Sequence, residues 1–362
     1  MCAATFDQAK AEAFGERMLA VLNHAGVALM TSLGHRTGLF DTMDGMPPAT
    51  THEIAAAAGL NERYVREWLG TMVTAGIVEF DPAAHTYRLP AEHAASLTRA
   101  ASPNNMASVT QWIAVLGGVE DRVVEAFSHG RGVPYSAYAR FHQVMAEESS
   151  QSVVAGLEEH ILPLVPGLVE QLQAGIDVLD VGCGSGWALI HLAETFPASR
   201  FVGYDFSAEG IAAGAAKARE RGLSNVRLAV QDAAAMDDRG AFDLVTAFDA
   251  IHDQARPDQV LANIARALRE SGVFLMQDIR ASSHVHQNVD LPLGPFTYAI
   301  SCMHCMSVSL AEGGMGLGAA WGQELALEML AQAGFGQTRV ETLPHDVINY
   351  YYVARRQAPA SD

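Results

Sequence analysis

The residues best placed to do chemistry lie in Val178-Leu179-Asp180-Val181-Gly182-Cys183-Gly184-Ser185-Gly186-Trp187. An apolar run ends in an acid, and three glycines follow at alternate positions. A helical pattern begins at Trp187. Strand, glycine turn and helix in that order form the edge at which open α/β sheets bind nucleotide-like ligands. The spacing excludes a dinucleotide. A G-x-G-x-x-G fingerprint needs glycine at 187 or 189, where Trp187 and Leu189 stand. Acids recur at the ends of the next apolar runs. Asp205 closes 200–205, nineteen residues past Gly186, near the spacing of a ribose-binding carboxylate. Phe206 beside it offers a ring on which a flat base can stack. Asp232 follows 225–230, and Asp249 and His252 follow 242–248.

The run D-x-G-x-G-x-G, with the ordered acids behind it, resembles the class I S-adenosylmethionine-dependent methyltransferases. The resemblance implies S-adenosyl-L-methionine as methyl donor and S-adenosyl-L-homocysteine as product. This donor has no phosphate. It carries a sulfonium cation, a zwitterionic amino acid end and a flat adenosine. Alternate glycines let the backbone approach it without Cβ obstruction. The cofactor residues then implied are Asp180 for the ammonium, Gly182, Gly184 and Gly186 for close approach, Asp205 for the ribose and Phe206 for the adenine face. Asp232 with Ala233 meets the adenine amino group, and Phe248 ends the neighbouring strand.

Methyl transfer is an in-line displacement at carbon, so the protein must align the nucleophile and remove a hydroxyl proton. His252 is the candidate base, because an imidazole pKa of about 6.5 suits that task. Plant-type O-methyltransferases carry His-Asp-Trp here. This chain has His252-Asp253-Gln254, so the Trp is missing. A histidine that only hydrogen-bonds in a loop is the other reading. Asp249 and Asp278 end neighbouring strands. A Mg²⁺ held as in catechol-type methyltransferases needs a compact oxygen set. Ile279 stands where that set has Asn, so no metal is expected and Asp249 is assigned to the substrate.

After the fifth strand, 281–320 interrupts the family core. It contains Cys302-Met303-His304-Cys305-Met306 and several glycines. Methionine and glycine suit an adaptable apolar cover, which makes Cys302, His304, Cys305 and Met306 candidate substrate contacts. Plain core packing and capture of a metal or soft metalloid are the alternatives. One C-x-x-C is incomplete for zinc.

Strands and helices must alternate to position these groups. That pattern requires an α/β fold with a largely parallel sheet, Rossmann-like and seven-stranded in the resembled family. Its parts are a helix over 187–195, a helix over 257–270, a strand over 273–279, a helix over 321–334 and closing strands over 337–343 and 349–355. A frayed end follows from Arg356. Residues 1–100 read as a separate unit. A helix over 11–40 breaks near Gly34 and Gly38, a Thr50–Glu53 capping box opens a second helix, and Asn61 caps a third. Strands over 77–80 and 86–89 follow. This order resembles a winged helix. The domains are thus 1–100 (winged-helix-like, dimerising), 101–170 (helical linker and lid) and 171–362 (methyltransferase), with a substrate-covering insert near 281–320. Tyr135, Tyr138 and Phe141 either pack on the sheet or close over the cofactor.

Winged helices commonly read DNA, but Glu62, Arg63, Arg66 and Glu67 cancel along the third helix. Residues 1–100 hold seven bases against eleven acids. A net charge of −18 over 362 residues also opposes affinity for nucleic acid. No 18-residue apolar run and no signal peptide is evident, so neither membrane nor export is expected. Cys2, Cys183, Cys302 and Cys305 make no disulfide framework, in keeping with a cytoplasmic protein. The expected activity is methyl transfer to a small, partly apolar molecule at a hydroxyl oxygen, by a homodimer. Nitrogen, carbon, sulfur or metalloid acceptors are alternatives, as is an S-adenosylmethionine-sensing transcriptional regulator.

Overall fold

A computed structural model describes residues 6–357, so Cys2 and the tail beyond residue 357 lie outside it. The chain divides after Gly117 into two compact units.

In the first unit, Asp7 caps helix α1 (Gln8–Thr37) by accepting from the Lys10 amide, and Gly38 ends it in the left-handed region. The expected break at Gly34 is absent. A side chain at Gly34 would stand 2.6 Å from the Trp68 ring, so this glycine lets two elements touch within a continuous helix. Around that contact, Phe40 meets Trp68 edge-on at 5.2 Å, over buried Ile54, Leu69 and Met72. The capping box at Thr50 and Glu53 opens helix Thr51–Ala58. Asn61 caps helix Glu62–Thr74. Strands β1 (Glu79–Asp81) and β2 (Thr86–Arg88) pair antiparallel as the wing.

The second unit is built on one sheet. Its strands are β3 (Asp177–Val181), β4 (Arg200–Asp205), β5 (Val226–Val230), β6 (Phe242–Phe248), β7 (Leu268–Ile279), β8 (Phe335–Leu343) and β9 (Asp346–Arg356). The order is β5-β4-β3-β6-β7-β9-β8. The first five are parallel, and β9 and β8 close one edge antiparallel. Side chains alternate across it, as period-two strands require. Val178, Leu244 and Leu275 pack with Leu157, Leu189 and Leu192 on one face. Leu179, Val245 and Met276 pack with Val260, Ile264 and Leu330 on the other.

Three boundaries depart from the sequence expectation. The helix beginning at Pro257 ends at Ala267, and β7 starts at Leu268, absorbing Ser271 and Gly272 across a register shift opposite Phe242. Strand β9 begins at Asp346 and includes Arg356, which is paired with Phe335 and is not frayed. The region before the sheet is not one helical run. Helices Glu120–His129 and Phe141–Ser152 are followed by short 3₁₀ turns around a π-turn, Leu157–Ile161. The insert is helical over Gly294–Ile300 and Met306–Ala311, joined by a second π-turn, Ser301–Cys305. Among the described residues, no single helix is long and apolar enough to cross a membrane.

Candidate active site

Sheet order reverses at β3, whose neighbours are β4 and β6. A cleft opens there at the carboxyl ends, where such sheets bind ligands. Asp180, Gly182, Gly184, Asp205, Phe206 and Phe248 line it. The glycines divide the work. Gly184, at φ 54°, has open space where a Cβ would stand, while a Cβ on Gly182 would strike Ala250 at 2.5 Å. Gly186 is not on the cleft wall. It caps helix Trp187–Thr195 with φ 67° and packs on Leu228.

Asp180 is 3% exposed, and its register partner on β6, Thr246, donates to it at 2.7 Å. Burial still wins, with help from Asp205, and pushes the Asp180 carboxyl up to about 7. Asp205 is raised by burial too, against hydrogen bonds from the Ser207 and Gly184 amides at 2.7 and 2.8 Å. Burial also pushes the Cys183 thiol well up, so it is a small side chain in the turn and no nucleophile. Asp232 and Ala233 do not line the cleft. Asp232 accepts from the Ala234 amide at 2.8 Å and lies 3.9 Å from Arg256, and Ala233 is buried against the sheet.

Past Phe248 the same cleft is walled by Asp249, Asp253 and Tyr135. His252 stands behind this wall, 2% exposed. Its Nδ1 lies 2.8 Å from Asp278 Oδ1, and its Nε2 lies 3.1 Å from Asp253 Oδ1. Burial alone would lower the imidazole pKa, but Asp278 and Asp253 overcome it and hold His252 well above the usual value. Nδ1 is hydrogen-bonded to Asp278, and Nε2 faces an Asp253 oxygen that has no hydrogen-bond partner among the described residues. His252 itself is set back from the cleft wall. Asp253 lies between it and the cleft. Burial would raise that carboxyl, but the His252 charge and the Tyr135 hydroxyl, donating at 2.9 Å, hold it below its usual range. Trp321 Nε1 donates to Asp278 Oδ1 at 2.9 Å, which anchors the inner end of the chain. Asp249 adopts φ 54°, a left-handed backbone rare for a residue with a side chain. Burial first, then Asp278 and Asp253, push its carboxyl up to about 7.

The insert residues support this wall from outside the cleft. His304 is 2% exposed, stacks on Phe141 at 4.3 Å, and is lowered by burial to about 4, so its ring is neutral. Cys305 is buried, with its thiol pushed up to about 12 by burial and then by Asp253. Cys302 and Met306 are half-buried, and Met306 packs near Gly318. None of these four lines the cleft. His252, Asp253 and Cys305 place three ligand-type atoms within 4.8 Å of one another, as do Asp249, His252 and Asp278.

Thr246, Asp253 and Trp321 were not assigned from sequence, and Tyr135 was expected only as packing or as a cofactor lid, not as a partner of Asp253. Asp253 had a signal, an acid next to the candidate histidine. The others act through partners 43 to 118 residues away, visible only in the fold.

Comparison with known proteins agrees with this architecture. Residues 25–99 match the family described as "Rv2258c-like winged HTH domain", and 172–334 match "Methyltransferase domain". A curated relative, "Fatty-acid O-methyltransferase" of Mycolicibacterium smegmatis, is 36% identical over 106 residues. That stretch is 29% of this chain and 38% of the relative, so the chain matches little more than a third of the relative's length. A putative O-methyltransferase from Nostoc punctiforme PCC 73102 superposes with TM-score 0.70 at 19% identity, covering 94% of this chain and 98% of that one. Human N-acetylserotonin methyltransferase in complex with SAM gives TM-score 0.68 at 18% identity, covering 98% of this chain and all of that one. At these identities the structural matches speak for the fold. The chain therefore joins an Rv2258c-like winged helix-turn-helix domain to a methyltransferase domain of Rossmann-like fold.

Proposed function

We propose that this protein transfers a methyl group from S-adenosylmethionine to a hydroxyl oxygen of a small, partly apolar molecule. One observation carries the reading: the acid-and-glycine edge suited to the donor runs, in a single cleft, into a carboxylate backed by a buried histidine. The residues fit the donor. Gly184 leaves its Cβ side open, Asp180 and Asp205 present carboxylates to an ammonium and a ribose, and Phe206 is half exposed for a base to stack on. When bound, S-adenosylmethionine supplies an electrophilic methyl group on a good leaving group. The chain does the rest. Asp253, on the cleft wall, passes the acceptor hydroxyl's proton to Nε2 of a neutral His252 as the new O–C bond forms. Asp278 fixes His252 at Nδ1 and stabilises the imidazolium that results. The histidine thus handles the proton at one remove. Tyr135, Phe141 and Phe206 make the apolar side of the cleft.

The protein acts as a cytoplasmic homodimer. Support comes from α1, where Phe14, Leu19 and Leu22 are 60%, 65% and 71% exposed, an apolar load that a second copy would cover. The rival reading is a regulator that senses S-adenosylmethionine, and the winged helix-turn-helix match favours it. Against it, Arg63 pairs with Glu67 and Arg66 with Glu62 on the helix that would meet DNA, so its cations are already neutralised. Turnover assays over a panel of small phenols and alcohols, with S-adenosylhomocysteine release as readout, test the proposal. Release with an acceptor supports it. Binding of the donor without release from any acceptor, together with a salt-sensitive gel shift on DNA, favours the regulator.

A further inference from the structure

Asp253 uses its carboxylate oxygens differently. Oδ1 is buried and faces His252 Nε2 at 3.1 Å, with no hydrogen-bond partner among the described residues. Oδ2 accepts from the Tyr135 hydroxyl at 2.9 Å. A carboxylate turns easily about its last bond unless something holds it. His304 Nδ1, at 3.9 Å from Oδ2, is too distant to do so. The Tyr135 hydroxyl is the contact that holds it.

Tyr135 is itself held from outside the cleft. It opens a short 3₁₀ turn, Tyr135–Ala137. Before that turn, the Val133 amide donates to Ser307 Oγ at 2.9 Å, and a side chain at Gly132 would stand 1.7 Å from the Ser307 carbonyl oxygen. After it, the Tyr138 hydroxyl donates to the Met303 carbonyl oxygen at 2.5 Å. Ser307 and Met303 belong to the 281–320 insert. The rings of Phe206, His304 and Phe141 lie 5.0, 5.2 and 5.3 Å from the Tyr135 ring and limit its swing. We propose that Tyr135 is a positioning residue for methyl transfer: its hydroxyl, placed by the insert, keeps Asp253 Oδ1 turned to His252 while the proton crosses from the cleft. This rests on the methyl-transfer reading above. It gives the insert a part in the reaction through a residue that it holds.

The titratable side chains around Asp253 are His252 beside it, Tyr135 across the cleft wall, and His304 and Cys305 from the insert, with Asp249 and Asp278 on the far side of His252. A hydrogen bond donated to a carboxylate favours its charged form. Removing the Tyr135 hydroxyl therefore raises the proton affinity of the Asp253–His252 pair, and the acidic limb of the rate profile moves to higher pH.

The test compares the full chain with Tyr135→Phe, which keeps the ring and removes the hydroxyl. Turnover uses the acceptor from the phenol and alcohol panel that releases S-adenosylhomocysteine fastest. The variant should lose at least ~10-fold in kcat with KM for the acceptor within about threefold of native, as expected when a charge-assisted hydrogen bond that orients the proton path is lost. Its acidic limb should lie at higher pH than the native one. S-adenosylhomocysteine affinity by calorimetry should stay within about twofold. A kcat within about twofold of native, a loss carried by KM alone, or a uniform loss with no movement of the acidic limb would each overturn the proposal. A parallel loss of S-adenosylhomocysteine affinity would overturn it too, by making Tyr135 part of the donor site. Failure of the methyl-transfer reading shows separately, as no release by the native chain from any acceptor, and the proposal falls with it.

Discussion

Two regions of this molecule break the rule of apolar inside and polar outside, in opposite senses. Helix α1 shows water a face of Phe14, Leu19 and Leu22, while its buried residues, Thr31, Ser32, Gly34 and His35, cluster in its last turns. The methyltransferase domain instead buries Asp180, His252 and Asp278 at 3% exposure or less. Exposed apolar area is unfavourable until something covers it. Buried charge is unfavourable until it is paired and hydrogen-bonded. The second region solves its problem within the chain, through Thr246 for Asp180 and Trp321 for Asp278. The first does not, among the described residues. A function follows from each: chemistry where charge is buried and held, and assembly where apolar surface is left open.

The contrast is sharpest where it is most costly to break. Asp278→Ala would leave His252 Nδ1 and Trp321 Nε1 buried without their shared acceptor, and should destabilise the chain by about 1–3 kcal/mol for each in urea unfolding. A loss below about 1 kcal/mol in all would mean that the pairing is weak. Asp253→Asn keeps shape and removes the proton acceptor. It should lower kcat by roughly 10²–10⁴-fold while leaving S-adenosylhomocysteine affinity unchanged. Parallel loss of both would make Asp253 a structural residue. In α1, Leu19→Asp with Leu22→Asp should convert a dimer to a monomer in light scattering, with the donor still bound. A native protein that is already monomeric would remove the assembly role.

The smallest effect concerns pH. The Asp180 carboxyl, held up to about 7, must be ionised to pair with the donor's ammonium. Affinity for S-adenosylhomocysteine should therefore fall as pH drops through 7, by at most about tenfold per unit. It should level off above 7. Calorimetry at pH 6, 7 and 8 checks this, and a flat profile would place Asp180 away from the ammonium.

Local signals were legible in the sequence because local chemistry settles them. The glycine turn ends at a helix that starts at Trp187, and Thr50 with Glu53 forms the expected capping box. Gly34 misled because its reason is tertiary: it makes room for Trp68, which lies 34 positions further on. His252 was legible as a candidate but its burial and its pairing were not, because they depend on Asp278 on the neighbouring strand. The retreat of Cys302, His304, Cys305 and Met306 from the cleft wall depends on how the insert packs on Tyr138 and Phe141. No residue spacing encodes that.

The central claim is that the acids Asp180 and Asp205, at the ends of β3 and β4, hold a methyl donor. Calorimetric titration of the full chain with S-adenosylhomocysteine tests it most directly. The expected result is one molecule bound per chain, with Asp180→Asn and Asp205→Asn each weakening binding by at least about tenfold. No binding by the native chain, or undiminished binding by both variants, would contradict it.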